Sequence, residues 1–263
     1  MNGITSWAKG TFLSGHQRPI RWLYGYVGCG KSAIAQTLAE RFASQGRLAA
    51  SFFFFRSAGD RGRMTRLPAT LAYQLSISVP QTEALIREAA RRQPTLLDPT
   101  AESLHTRMQR LVYEPFNAAI QTHPSLAKSP FLMVIDGLDE CEDHFQVEEL
   151  LDSLLSLFRD SPSIPLRVLI TSRVEQYIYR HLENRLVVRQ DLADAPSSHD
   201  IKLFLGEFFT REAQTNRVIR SYGTWPSQDQ LDRLIKHVDG SFLFAVTFAK
   251  FIVGRPDSDL RLQ

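Results

Sequence analysis

Gly25-Tyr26-Val27-Gly28-Cys29-Gly30-Lys31-Ser32 is the stretch on which the reading of this chain turns. It satisfies the pattern G-x-x-x-x-G-K-[ST]. A short apolar run, Pro19 to Tyr24, leads into it, and Lys31 to Phe42 follows with Ile34, Leu38 and Phe42 at helical spacing. Strand, glycine loop and helix in that order are what phosphate binding requires. Gly28 and Gly30 let backbone N–H groups turn inward around phosphate oxygens, where a side chain would clash. Lys31 brings a positive charge to the β and γ phosphates, the Ser32 hydroxyl can bind Mg²⁺, and the helix adds its N-terminal partial charge. Gly25, Gly28, Cys29, Gly30, Lys31, Ser32 and Ala33 are therefore the expected nucleotide contacts.

Outward from the loop, apolar runs and helical patterns alternate. Leu48 to Phe55, with four consecutive Phe, reads as a buried strand or a core helix segment, and its shortness favours the strand. Pro130 to Asp136 and Leu166 to Thr171 are two more strands. Between them Val147, Leu150, Leu151, Leu154, Leu155 and Phe158 line one helical face. Leu186 to Val188 is a candidate fifth strand, and Thr65 to Pro124 a long helical insertion. Past Asp191 to Ser198, a linker by composition, only helical patterns remain. Ser197-x-x-Asp200 predicts a capping box ahead of a helix over Ile201 to Thr210. Ser227-x-x-Gln230 predicts another, ahead of Leu231, Leu234, Ile235 and Val238; Gly240 stops that helix, and Phe242 to Val253 makes a last, buried one. The expected fold is α/β, a P-loop NTPase three-layer sandwich around a central parallel sheet, followed by a small all-helical lid subdomain. The expected division is 1–17 lead-in, 18–190 core and 195–263 lid, with Met1 to Gly15 a candidate helix over the base.

Phe131-Leu132-Met133-Val134-Ile135-Asp136 is the natural partner of the loop. A hydrophobic strand ending in Asp sets a carboxylate where it can hold the Mg²⁺ shell. An acidic loop at a strand end is inert on its own; beside a phosphate loop it reads as function. Asp139 and Glu140 follow, with Glu140 the expected base for an attacking water and Asp139 its neighbour. Arg167-Val168-Leu169-Ile170-Thr171-Ser172-Arg173 brings two hydroxyls and an Arg to the same sheet edge, and Arg173 is the expected sensor of the γ-phosphate. The metal-holding pair is Ser32 and Asp136.

Composition narrows the alternatives. With 43% hydrophobic and 22% charged residues among 263, the chain is globular and carries a real core. A formal charge of +3 is too small to argue for nucleic acid or an anionic membrane. Arg56, Arg61, Arg63 and Arg66 cluster without interleaved aromatics and read as a solvated loop. Two Cys exclude a disulfide scaffold; Cys29 and Cys141 read as packing residues before a redox pair. The seven His have no metal spacing. No signal peptide or membrane span is legible, so a cytoplasmic protein is expected. The absence of an [NT]-K-x-D motif favours ATP or ADP and leaves GTP open.

Trp22-Leu23-Tyr24-Gly25, Ala50-Ser51-Phe52-Phe53-Phe54, Leu71-Ala72-Tyr73-Gln74-Leu75, Val134-Ile135-Asp136-Gly137-Leu138-Asp139-Glu140-Cys141 and Leu169-Ile170-Thr171-Ser172-Arg173 together resemble the NACHT domain of the STAND class of P-loop NTPases. The likeness is to its fungal, nephrocystin-like branch, and Gly240-Ser241-Phe242-Leu243-Phe244-Ala245 is similar to that branch's closing helix. The resemblance implies a signal-transduction NTPase in innate immunity or cell death, ADP-bound at rest and a homo-oligomer when ATP-bound, with slow hydrolysis resetting it. It implies phosphate and Mg²⁺ roles for Lys31 and Ser32, Mg²⁺ for Asp136, water activation for Glu140 and γ-phosphate sensing for Arg173. Effector and sensor domains of a longer protein are expected beside such a domain, so the chain reads as a fragment or a stripped-down member. A non-hydrolysing nucleotide-binding module is the alternative, and a small-molecule kinase a further one.

Overall fold

The expected apolar runs form a sheet whose strands alternate between two buried faces. In the computed structural model, which describes residues 2–10, 18–56, 59–192, 197–215 and 225–253, the strands are β1 (Ile20–Tyr24), β2 (Leu48–Phe53), β3 (Phe131–Asp136), β4 (Leu166–Ser172) and β5 (Val187–Asp191). Their order is β2-β3-β4-β1-β5, and the sheet is parallel. Every residue of β3 and of β4 is buried, as central strands covered on both faces require. The alternation sorts them: Leu23, Leu132, Val134 and Leu169 face one layer, while Trp22, Met133, Ile135, Val168 and Ile170 face the other.

The first layer is α1 (Asn2–Lys9) and α2 (Lys31–Ser44), which bury Ile4, Ala8, Ala35, Leu38, Ala39 and Phe42 against the sheet. Helix α1 is thus part of this core, while residues 11–17 of the expected lead-in lie outside the described residues. The second layer holds α3 (Leu67–Ser78), α4 (Glu83–Arg92), α5 (Leu104–Met108), α6 (Glu114–Thr122), α7 (His144–Asp160) and α8 (Gln176–Leu182). All six apolar positions expected on the α7 face are buried. Asp143 caps that helix, its side chain accepting the Gln146 N–H at 3.1 Å. The insertion is helical as expected, with a π turn over Gln109–Tyr113 joining α5 to α6. Pro115, in the first turn of α6, has no N–H to offer the carbonyl of Leu111, and the ladder widens there. α4 buries no side chain and carries its i,i+4 ion pairs, Glu83–Arg87 and Glu88–Arg92, in solvent.

By contacts the chain forms two compact units, one from 1–24 with 31–190 and the other from 25–30 with 191 onward. The glycine loop therefore groups with the C-terminal helices α9 (Ser197–Thr215), α10 (Gln228–Val238) and α11 (Phe242–Ile252). Ile201, Leu205, Phe208, Phe209, Leu231, Val238, Ala245 and Ala249 make the core of this second unit. The capping box at Ser227 and Gln230 is present in both directions. The other expected start is corrected. α9 already includes Ser197 and runs to Thr215, so Ser197-x-x-Asp200 lies inside the helix and does not precede it; residues 193–196 of the linker lie outside the described residues. α11 departs as well from the buried helix expected. It buries only its Ala245 and Ala249 stripe, and Phe251 is 78% exposed. Small residues every fourth position give one close-packing face and leave the bulky side chains outside it.

Candidate functional site

The parallel register brings the ends of β3 and β4 side by side. Ile135 pairs with Ile170, so Asp136 and Thr171, one residue on, are neighbours pointing to the α2 layer. Both are buried, Asp136 to 3% and Thr171 completely. The Thr171 hydroxyl donates to Asp136 Oδ1 and accepts the N–H of Gly137 at 3.0 Å. The hydroxyl of Ser32, at the start of α2, donates to the same carboxylate. Burial pushes the Asp136 carboxyl above its ordinary range. The Thr171 and Ser32 donors oppose the shift, the charge of Glu140 adds to it, and that of Lys31 pulls it down.

At Gly137 the chain turns through φ 68°, a left-handed conformation, with the carbonyl of Phe54 only 3.1 Å from where a Cβ would sit. A 3₁₀ turn, Leu138–Glu140, follows. It brings Asp139 under Arg173: the backbone N–H of Arg173 donates to Oδ1 at 2.8 Å and its Nε to Oδ2 at 2.6 Å. That carboxylate, side chain 4% exposed, has both oxygens bound by one residue. The hydrogen bond to Asp139 holds the Arg173 guanidinium above its ordinary value. Glu140 Oε2 accepts the backbone N–H of Arg56 at 2.9 Å, and Arg56 Nη2 donates to the Asp139 carbonyl at 3.2 Å. Of the residues expected here, the first unit brings together Lys31, Ser32, Asp136, Asp139, Glu140 and Arg173; Ala33 is exposed in the first turn of α2.

Two contributors had no assigned role in the sequence reading. Thr171 was legible only as one of two hydroxyls on a buried strand. Arg56 sat in a basic cluster read as solvated, yet it ties the loop after β2 to the acidic turn, as does Arg63 through Glu142 at 3.4 Å. Phe54 N–H donates to the Asp136 carbonyl at 2.8 Å, which extends the β2–β3 pairing to the point where the acidic turn begins.

The loop Gly25–Gly30 is described within the second unit. Gly28 and Gly30 take φ of 83° and 90°, which admit glycine and strain other residues. The N–H of Leu243 donates to the Gly28 carbonyl at 3.3 Å, and a Cβ on Gly28 would lie 2.7 Å from Leu243 Cβ. Cys29 is buried, with its N–H donating to the Tyr26 carbonyl at 3.4 Å; Tyr26 and Val27 are exposed. Partial desolvation raises the Tyr26 phenol above its ordinary value, with Cys29 and Asp239 adding to the shift. Cys29 and Cys141 are both buried thiols, and burial pushes that of Cys141 up, which suits packing.

Hard oxygen donors, a buried carboxylate and a hydroxyl, fit Mg²⁺, which takes one or two protein ligands and completes its shell with water and phosphate. Among the described residues no cluster of three or more His, Cys, Asp and Glu is placed to hold a metal by protein ligands alone. Nor is any described helix long and apolar enough to cross a membrane. Comparison with curated proteins gives no match. The family model described as nephrocystin 3, N-terminal, matches residues 3–173, from the first helix through the glycine loop and the acidic turn to Arg173. On that match, which spans more than half of its length, the chain belongs to the nephrocystin 3 N-terminal family.

Proposed function

We propose that this chain is a nucleotide switch of the NACHT type within the STAND class, binding ATP or ADP with Mg²⁺ and hydrolysing the triphosphate slowly. One observation carries the reading: the hydroxyl of Ser32 hydrogen-bonds the buried Asp136 carboxylate, with the Lys31 charge acting on the same group. These are the last two residues of the glycine motif and the last residue of the hydrophobic strand, separate in sequence and joined at one carboxylate. Lys31 neutralises phosphate oxygens, while Ser32 and Asp136 hold the metal. Bound Mg²⁺ supplies the charge that offsets negative charge building on the phosphate oxygens. Glu140 takes a proton from water at its carboxylate, oriented through Oε2 by the Arg56 N–H. Arg173 reads the γ-phosphate from its place on Asp139. In the proposed cycle nucleotide state governs assembly of copies of the chain, in the innate-immunity or cell-death signalling of a fungal cell.

The test is a thermal melt with Mg-ATP, with Mg-ADP and without nucleotide, beside Lys31→Ala. At a hundred-fold excess over Kd, binding stabilises by about 2.7 kcal/mol. For a chain of this size that is roughly 5–10 °C. A shift that disappears in Lys31→Ala supports the reading; a folded, nucleotide-free protein that shows none overturns it.

A second reading, a nucleotide-binding module that does not turn over, is favoured by the pairing of the acidic turn. Both Asp139 oxygens are bound by Arg173, and Glu140 Oε2 by Arg56. Single-turnover phosphate release separates the two. Release that is abolished in Glu140→Gln, with ATP retained, supports the switch; no release from wild type alongside tight binding supports the module.

A further inference from the structure

We infer that Thr171 is the residue that positions Asp136 for metal, acting through the carboxylate without touching nucleotide. The inference rests on the nucleotide reading above and adds a residue to it. A carboxylate at a strand end turns freely about two side-chain bonds, and a metal-binding carboxylate must present one oxygen in a fixed direction. Thr171 removes that freedom. Its hydroxyl accepts the Gly137 N–H at 3.0 Å, which fixes the hydroxyl's own proton on the line to Asp136 Oδ1. The oxygen has no other orientation that keeps both bonds. The site is completely buried at Thr171, so water cannot replace the donor. The parallel β3–β4 register, with Ile135 opposite Ile170, places the two side chains together, so the contact is set by the sheet and not by a loop. The same hydroxyl also anchors the left-handed turn at Gly137 from which the segment carrying Asp139 and Glu140 departs.

The experiment measures binding of a fluorescent ADP analogue to the full chain as Mg²⁺ is titrated, and again in EDTA, for wild type, Thr171→Val and Thr171→Ser. Loss of a residue that orients a metal ligand typically costs 10–100-fold in metal affinity. Thr171→Val is expected to raise the Mg²⁺ concentration for half-saturation by about ten-fold or more. Its affinity for the analogue in EDTA stays within two-fold of wild type, and Thr171→Ser restores the Mg²⁺ response. A residue with a merely structural role would lower the melting temperature and leave the Mg²⁺ midpoint in place. An unchanged midpoint in folded Thr171→Val overturns the inference, as does a Thr171→Ser protein that behaves like the valine variant. Should Thr171→Val not fold, Thr171→Cys, near in volume with a weak donor, is compared with Thr171→Ser, and equal midpoints overturn it. Wild type that binds the analogue neither with Mg²⁺ nor in EDTA overturns the nucleotide reading, and this inference with it. Wild type that binds with an Mg²⁺ response shared by the valine variant overturns the inference alone.

Discussion

Asp139 and Arg173 are joined by two hydrogen bonds that use both oxygens of the acid, one from the arginine backbone and one from its Nε. The acid side chain is 4% exposed and the arginine 39% exposed, so the pair is buried on one side only. Removing the guanidinium leaves a buried carboxylate with its backbone donor alone. Arg173→Ala is expected to destabilise the chain by about 1–3 kcal/mol, the usual cost of an under-satisfied buried polar group. Urea denaturation checks it: a change in unfolding free energy smaller than about 0.5 kcal/mol would mean that solvent replaces the guanidinium.

Burial raises the Asp136 carboxyl above its ordinary value, so the folded state holds the proton more tightly than the unfolded chain. Stability therefore falls as pH rises from the unfolded value, near 3.8, through the folded one, because over that window the native state binds more protons. Above that window the ionised carboxylate is a standing cost to the metal-free fold. Asp136→Asn is expected to gain stability relative to wild type as pH rises from the unfolded value, measured in EDTA, while losing the Mg²⁺ response. A difference between the two proteins that does not change with pH would overturn the assignment of burial as the dominant cause.

The sheet was legible because β1, β3 and β4 are short, mainly apolar runs bounded by polar residues, a pattern that central parallel strands require. Asp136 was legible for the same reason, being the one charge at the end of such a run. What the sequence did not give away was pairing across long separations. Arg56 and Glu140 are 84 residues apart, and Thr171 and Asp136 are 35 apart; nothing in local composition marks either contact. α9 illustrates a local limit. The Ser197-x-x-Asp200 spacing marks the start of the described helix, which begins at Ser197 and not after Asp200. The exposed bulky side chains of α11 have a similar cause: an apolar sequence reads as buried, while burial is decided by the Ala stripe that packs.

Gly28 and Gly206 are predicted to respond to alanine with opposite signs. At Gly28 the φ of 83° and the 2.7 Å approach to Leu243 Cβ both act against a methyl group. Gly28→Ala is expected to cost about 1–3 kcal/mol, the combined scale of left-handed strain and overpacking. Gly206 lies inside α9 with open space where its Cβ would be, and Gly206→Ala is expected to stabilise by about 0.5–1 kcal/mol. Thermal melts followed by helical circular dichroism report both. Equal shifts of one sign would show that neither backbone conformation nor local space controls these positions.

Trp22 and Ser172 close the ends of β1 and β4 with a buried contact, indole Nε1 donating to the serine oxygen at 2.8 Å. The serine hydroxyl in turn donates to the Arg173 carbonyl at 2.7 Å, so one oxygen satisfies a donor and an acceptor at once. Ser172→Ala removes both bonds and leaves the indole N–H of a fully buried Trp22 without a partner. The expected cost is about 1–3 kcal/mol. Because Arg173 also carries the contact to Asp139, Ser172→Ala and Arg173→Ala share a structural element and should not add. A double-mutant cycle in urea is expected to give an interaction energy above about 0.5 kcal/mol. Strict additivity would show that the serine fixes the strand end without steering the arginine beyond it.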